Sequence, residues 1–264
     1  MTCAEAPRLL GPLSFDLIKP ATWPTAVVYA LMLAAGLGGP AVAQSYEQLQ
    51  KQCTDHTSAL DLRLEGCTAI IQAIEAGRES TGRLVVALTN RGAVFTQKGQ
   101  LELALQDYSQ AVRLAPKGAW TFANRGATHA QMGQHDLAIQ DYDQAIRLEP
   151  ANAAALYSRG FSYAEKGQHE RAIQDYDLAI LIDPSNAAAL FGRGRCYLAN
   201  GQPDRAILDF EVALRLAPKS AEILYGRGIA RQRNGDAAGA TADISAAKAL
   251  VPDIDEKMAR YGIR

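Results

Sequence analysis

Arg-Gly recurs at Arg91-Gly92, Arg125-Gly126, Arg159-Gly160, Arg193-Gly194 and Arg227-Gly228, and proline at Pro116, Pro150, Pro184, Pro218 and Pro252, each series at an unbroken stride of 34 residues. A fixed period of this length admits few architectures. Each unit is one supersecondary module that cannot bury its own apolar face and must stack on its neighbours. Five repeats follow, at 85–118, 119–152, 153–186, 187–220 and 221–254.

Each repeat carries the punctuation of a helical hairpin. Its last residue, Asn152, Asn186 or Ser220, can cap the next helix. Gly99, Gly133, Gly167, Gly201 and Gly235 stand at position 15, where a left-handed residue ends a helix. Glu102, Asp136, Glu170 and Asp204 come three residues later, in the first turn of the second helix, where its dipole favours acid. Glycine also recurs inside the first helix, at position 8 (Gly92, Gly126, Gly160, Gly194, Gly228), where it costs about 1 kcal/mol relative to alanine. A cost repeated five times implies a compensating close contact. Alanine at positions 20 and 27 and an aromatic at position 24 (Tyr108, Tyr142, Tyr176, Phe210) share one face of the second helix.

Apolar at 4, Gly at 8, mostly aromatic at 11, Ala at 20, aromatic at 24, Ala at 27 and Pro at 32 closely resemble the tetratricopeptide repeat over residues 85–254. The resemblance implies an all-α, right-handed α-solenoid of stacked antiparallel hairpins. One departure stands out: position 7, usually a large aliphatic in that family, is arginine in every unit, as in its Asn-Arg-Gly variant. Residues 44–84 read as a degenerate hairpin, with helices from Tyr46 to His56 and Leu60 to Ala76. Residues 253–264 read as a capping helix over the open end, with Asp253 and Glu256 in a capping-box pattern.

Residues 1–43 differ in kind. Sparse positive charge at Arg8 and Lys19 precedes the apolar run Ala26–Gly39 and then Ala41-Val42-Ala43, the layout of a secretory signal peptide cleaved before Gln44. The apolar run is shorter than the roughly 20 residues of a membrane span. Two readings follow: cleavage and a periplasmic or secreted product, or an uncleaved anchor, the one route by which this chain would meet a membrane. The compartment expected is oxidising.

Asp107, Asp141, Asp175, Asp209 and Asp243 recur at position 23, and 7 plus 23 is the sum expected for facing residues in a hairpin that turns near position 15. Arg91, Arg125, Arg159, Arg193 and Arg227 are therefore expected to pair with them as register-fixing ion pairs, the alternative being a basic ladder that holds an acidic ligand. Cys53 and Cys67 fall on facing helices of the first hairpin, either as a disulfide or as two core thiols; Cys196 reads as packing. The four histidines show no metal-ligand spacing, and no phosphate loop or activated nucleophile is recognisable. An enzyme, cofactor, metal or small-molecule substrate is not expected. With Lys+Arg 27 against Asp+Glu 28, neither is nucleic acid.

In the family the chain resembles, first helices line a concave groove. The resemblance implies a peptide-binding groove of Trp120, Tyr157, Phe161, Phe191, Arg195, Tyr225 and Ile229. The lysine and asparagine set with which some members clamp a terminal carboxylate is absent, Thr89, Ala93, Ala188 and Gly192 standing there. The expected function is a non-enzymatic scaffold of the cell envelope that holds a segment of a partner protein. Its alternative is a self-assembling module that joins complexes through convex or terminal surfaces.

Overall fold

The computed structural model describes residues 46–78 and 81–263. The expected signal segment, residues 1–43, and its expected cleavage site before Gln44 lie outside the described residues. Among these, all regular structure is helical, in two compact units that meet in sequence between Pro116 and Lys117.

The first unit holds α1 (Tyr46–Thr54), α2 (Leu60–Ala73) with a π-helical turn at Ile74–Arg78, α3 (Thr81–Gln97) and α4 (Leu101–Leu114). These helices pack in chain order, α1 on α2, α2 on α3 and α3 on α4. α1 approaches α2 closely because Gly66 has no side chain: a Cβ there would stand 2.9 Å from the Leu49 carbonyl oxygen. Cys53 and Cys67 are joined in a disulfide with Cα atoms 4.7 Å apart, in a core with Ile70, Ile71, Val85 and Leu88.

The second unit holds α5 (Ala119–Gln131), α6 (His135–Leu148), α7 (Ala153–Glu165), α8 (His169–Ile182), α9 (Ala187–Ala199), α10 (Pro203–Leu216), α11 (Ala221–Arg233), α12 (Ala237–Leu250) and α13 (Ile254–Ala259). Four hairpins, α5–α6 to α11–α12, stack in order. First helices of successive hairpins touch (α5 with α7, α7 with α9, α9 with α11), while second helices barely meet. Closer approach on one side curves a stack, so within this unit the first helices form the inner wall.

Local chemistry accounts for the hairpins. The five position-15 glycines have φ between 70° and 86°, and the residue after each donates its amide five residues back, as in Gln168 to Tyr163 at 2.9 Å. Asn152 and Asn186 each accept a backbone amide at 2.9 Å, from Ala155 and Ala189, and Ser220 accepts from Ile223 at 3.4 Å. Position-8 glycine meets the position-24 ring of its own hairpin: a Cβ on Gly194 would stand 2.6 Å from Phe210. In the last hairpin Ile244 takes the ring's place opposite Gly228.

The C-terminal segment departs from the capping box that its sequence suggests. Asp253 makes no side-chain cap bond to α13, and α13 packs on α11. Ile254, Met258 and Ile263 are buried, and beyond α13 the chain turns at Gly262 with φ 74°. Burying three apolar side chains against the inner wall outweighs one cap at a helix end.

Candidate functional site

The five arginines each hold their own hairpin's aspartate through two parallel bonds. In Arg159, Nε and Nη2 donate to Asp175 at 2.8 and 2.6 Å, and Arg91–Asp107, Arg125–Asp141, Arg193–Asp209 and Arg227–Asp243 repeat the geometry within 0.1 Å. All five carboxylates are buried. Hydrogen bonding to the aspartate raises the guanidinium pKa of Arg159 and Arg193, against the opposing effect of burial. A third bond crosses to the preceding hairpin, Arg159 Nη1 to Asp143 at 2.7 Å and Arg193 Nη1 to Asp177 at 2.6 Å. These bonds tie the two helices of each hairpin together at one level.

The inner wall is less uniform than the expected groove. Trp120, Tyr157 and Phe161, on α5 and α7, keep part of their surface exposed. Tyr157 leans on Tyr176 with ring centroids 5.9 Å apart, and Phe161 faces the edge of His135 at 6.4 Å. Phe191, Tyr225 and Ile229 are not an open surface: they are 6, 7 and 5% exposed. Phe191 turns toward the ring of its own hairpin, Phe210, at 5.8 Å, and all three belong to a core that includes Ile254, Met258 and Ile263 of the C-terminal segment. Position 5 thus packs inward wherever a neighbouring surface can cover it.

Arg195 is engaged by that segment as well. Its Nη2 donates to the Tyr261 carbonyl at 3.1 Å and its guanidinium lies over the Tyr261 ring at 4.7 Å, with Glu165 at 3.4 Å. Lys257 donates to Glu222 at 2.5 Å, and Lys248 of α12 pairs with Asp255 at 2.6 Å. Glu222 and Glu165 were missed from sequence. The available signal was position: Glu222 and Glu165 stand on first helices, which line the groove in the resemblance.

Other candidate chemistry is muted. Cys196 is buried, and burial pushes its thiol up to about 12, far from a reactive thiolate. Among the described residues no group of three or more His, Cys, Asp and Glu could hold a metal ion, and no helix is long and apolar enough to cross a membrane.

Comparison with known proteins agrees with this geometry. Profiles of the TPR repeat match residues 92–133, 129–167 and 160–201, and one of the tetratricopeptide repeat matches 187–220. No curated protein matches the chain. Among solved structures, a tetratricopeptide repeat protein from Parabacteroides merdae is 24% identical over 82% of this chain and 87% of its own, with TM-score 0.63. YrrB, described as a TPR protein with an unusual peptide-binding site, is 21% identical over 71% of this chain and 94% of its own, with TM-score 0.59. MamA from Desulfovibrio magneticus is 20% identical over 65% and 97%, with TM-score 0.60. At these identities the likeness is one of fold.

Proposed function

From the tetratricopeptide repeats that residues 92–220 carry, we infer that this protein is a non-enzymatic interaction scaffold that holds a segment of a partner protein against the first helices of its second unit. The observation that carries the reading is the partly exposed set Trp120, Tyr157 and Phe161 on α5 and α7. Aromatics on a rigid wall are the composition of binding hot spots, and a wall already ordered by its ion pairs leaves little ordering cost on the protein's side. The peptide-binding site ascribed to YrrB supports the same use of the fold. The Cys53–Cys67 disulfide and the apolar run at 26–39 support an oxidising compartment of the cell envelope. The test is capture of partners from the envelope fraction by wild type and by Trp120→Ala/Phe161→Ala. Capture should be lost in the variant while helicity and melting are kept; retained capture by the folded variant rejects the reading.

Self-association is the second reading. Leu178 and Leu181 on α8 and Leu208 on α10 are 47, 77 and 62% exposed, on the second helices. Sedimentation of wild type against Leu181→Lys/Leu208→Lys decides it: an oligomer dissolved by the variant supports it, and a monomer in both removes it.

A further inference from the structure

The chain's own C-terminal segment lies where a bound peptide would. Lys257 meets Glu222 at position 2 of α11, and Tyr261 meets Arg195 at position 9 of α9, so the segment crosses two adjacent first helices. Its contacts are those of a bound peptide: Arg195 Nη2 donates to a backbone carbonyl, an aromatic ring stacks on the same guanidinium, and Ile254, Met258 and Ile263 supply apolar anchors. The fit is incomplete, because Arg195 Nε is buried without an acceptor among the described residues.

Its hold is also slight. α13 has six residues, well short of a helix that sustains itself in water. Asp253 does not cap it, and the Lys248–Asp255 pair, with side chains 46 and 47% exposed, contributes little. A short segment held by Ile254, Met258 and Ile263 and by the Lys257 and Tyr261 contacts has fewer anchors than the hairpins beneath it and opens more easily.

We propose that residues 254–263 are a displaceable internal ligand of the wall formed by α9 and α11, released when a partner segment of like chemistry binds there: a short helix presenting a lysine to Glu222, an apolar residue next to it, and an aromatic to Arg195. This rests on the peptide-holding reading above and adds the partner's chemistry and a gate. The gate lowers apparent affinity by the fraction of time the wall is covered.

The test unseats the segment in the full chain with Lys257→Glu/Met258→Asp and uses a synthetic peptide of residues 253–264 as probe. The variant should bind the peptide at least tenfold more tightly than wild type, and Glu222→Lys in the variant should abolish that binding. A folded variant that does not bind the peptide overturns the proposal. If the variant does not fold, hydrogen exchange of the wild-type chain decides. Amides of 254–263 should exchange well before those of α9 and α11; exchange only together with those helices overturns it. Partner capture that depends on Trp120 and Phe161 but is unchanged in the unseated variant would overturn the gate and leave the peptide-holding reading standing.

Discussion

Gly194 and Phe210 set the distance between two helices. A methyl group at Gly194 would recover about 1 kcal/mol of helix propensity, but it would stand 2.6 Å from a ring that is fully buried and cannot move away. Overpacking of this kind costs about 1–3 kcal/mol, so Gly194→Ala should lower the melting temperature. Gly82→Ala, in α3 with nothing within 4 Å, should hold or raise it. The arginine at position 7 acts at the same scale. Arg159→Ala leaves Asp175 buried with no cation, and should cost about 3 kcal/mol, the lower end for breaking a buried pair because the arginine is partly exposed. Asp175→Ala in the same background should then add much less than it does alone, with a coupling of about 1–3 kcal/mol in chemical denaturation. Both pairings were legible in sequence because the arginine and aspartate recur in every repeat, and the glycine and ring in all but the last, where Ile244 stands in for the ring. The cross-hairpin bonds to Asp143 and Asp177 were not, since position 25 does not repeat its acid throughout.

Among the elements, the first hairpin and α13 respond to different conditions. Cys53 and Cys67 close a loop across α1 and α2, and a loop of that size is worth roughly 3 kcal/mol. Reduction should therefore speed exchange of the α1 and α2 amides while leaving those of α7 and α8 unchanged. The hold on α13 should depend on pH through Glu222. Burial pushes its pKa up, but hydrogen bonds led by that from Lys257 outweigh burial and leave it below its ordinary value. A depressed carboxylate contributes stability that is present above its unfolded pKa of about 4.3 and lost as pH falls through the folded value. Acidification from pH 5 to about pH 3 should release amides of 254–263 ahead of α9, and Glu222→Gln should remove that pH step. The hairpins themselves were legible, being local and punctuated by glycine, proline and caps. The path of α13 was not: the capping-box letters at Asp253 and Glu256 carried a local signal that burial of Ile254 and Met258 overrode.

At the scale of the whole molecule, net charge is −1 with the two signs nearly balanced. Long-range steering of a charged partner is correspondingly weak. Association with a neutral peptide segment should change less than about threefold between low and high salt, measured by stopped flow; a steep fall would point to a charged footprint that the arginine ladder does not provide. Trp120, Tyr157 and Phe161, on the part of the wall that the resemblance pointed to, keep part of their surface exposed. Phe191 and Tyr225 at position 5 and Ile229 at position 9 show where a family pattern stops being a guide, because each position is open or covered according to what lies beside it.

Sequence alone determined the helical hairpins, their turns and the arginine–aspartate pairs, since each depends on residues close in the chain and is repeated at the same spacing. Tertiary structure decided which part of the inner wall is free. That outcome depends on a contact made once, between residues 66 apart, Arg195 and Tyr261, and a single distant contact leaves no period to read.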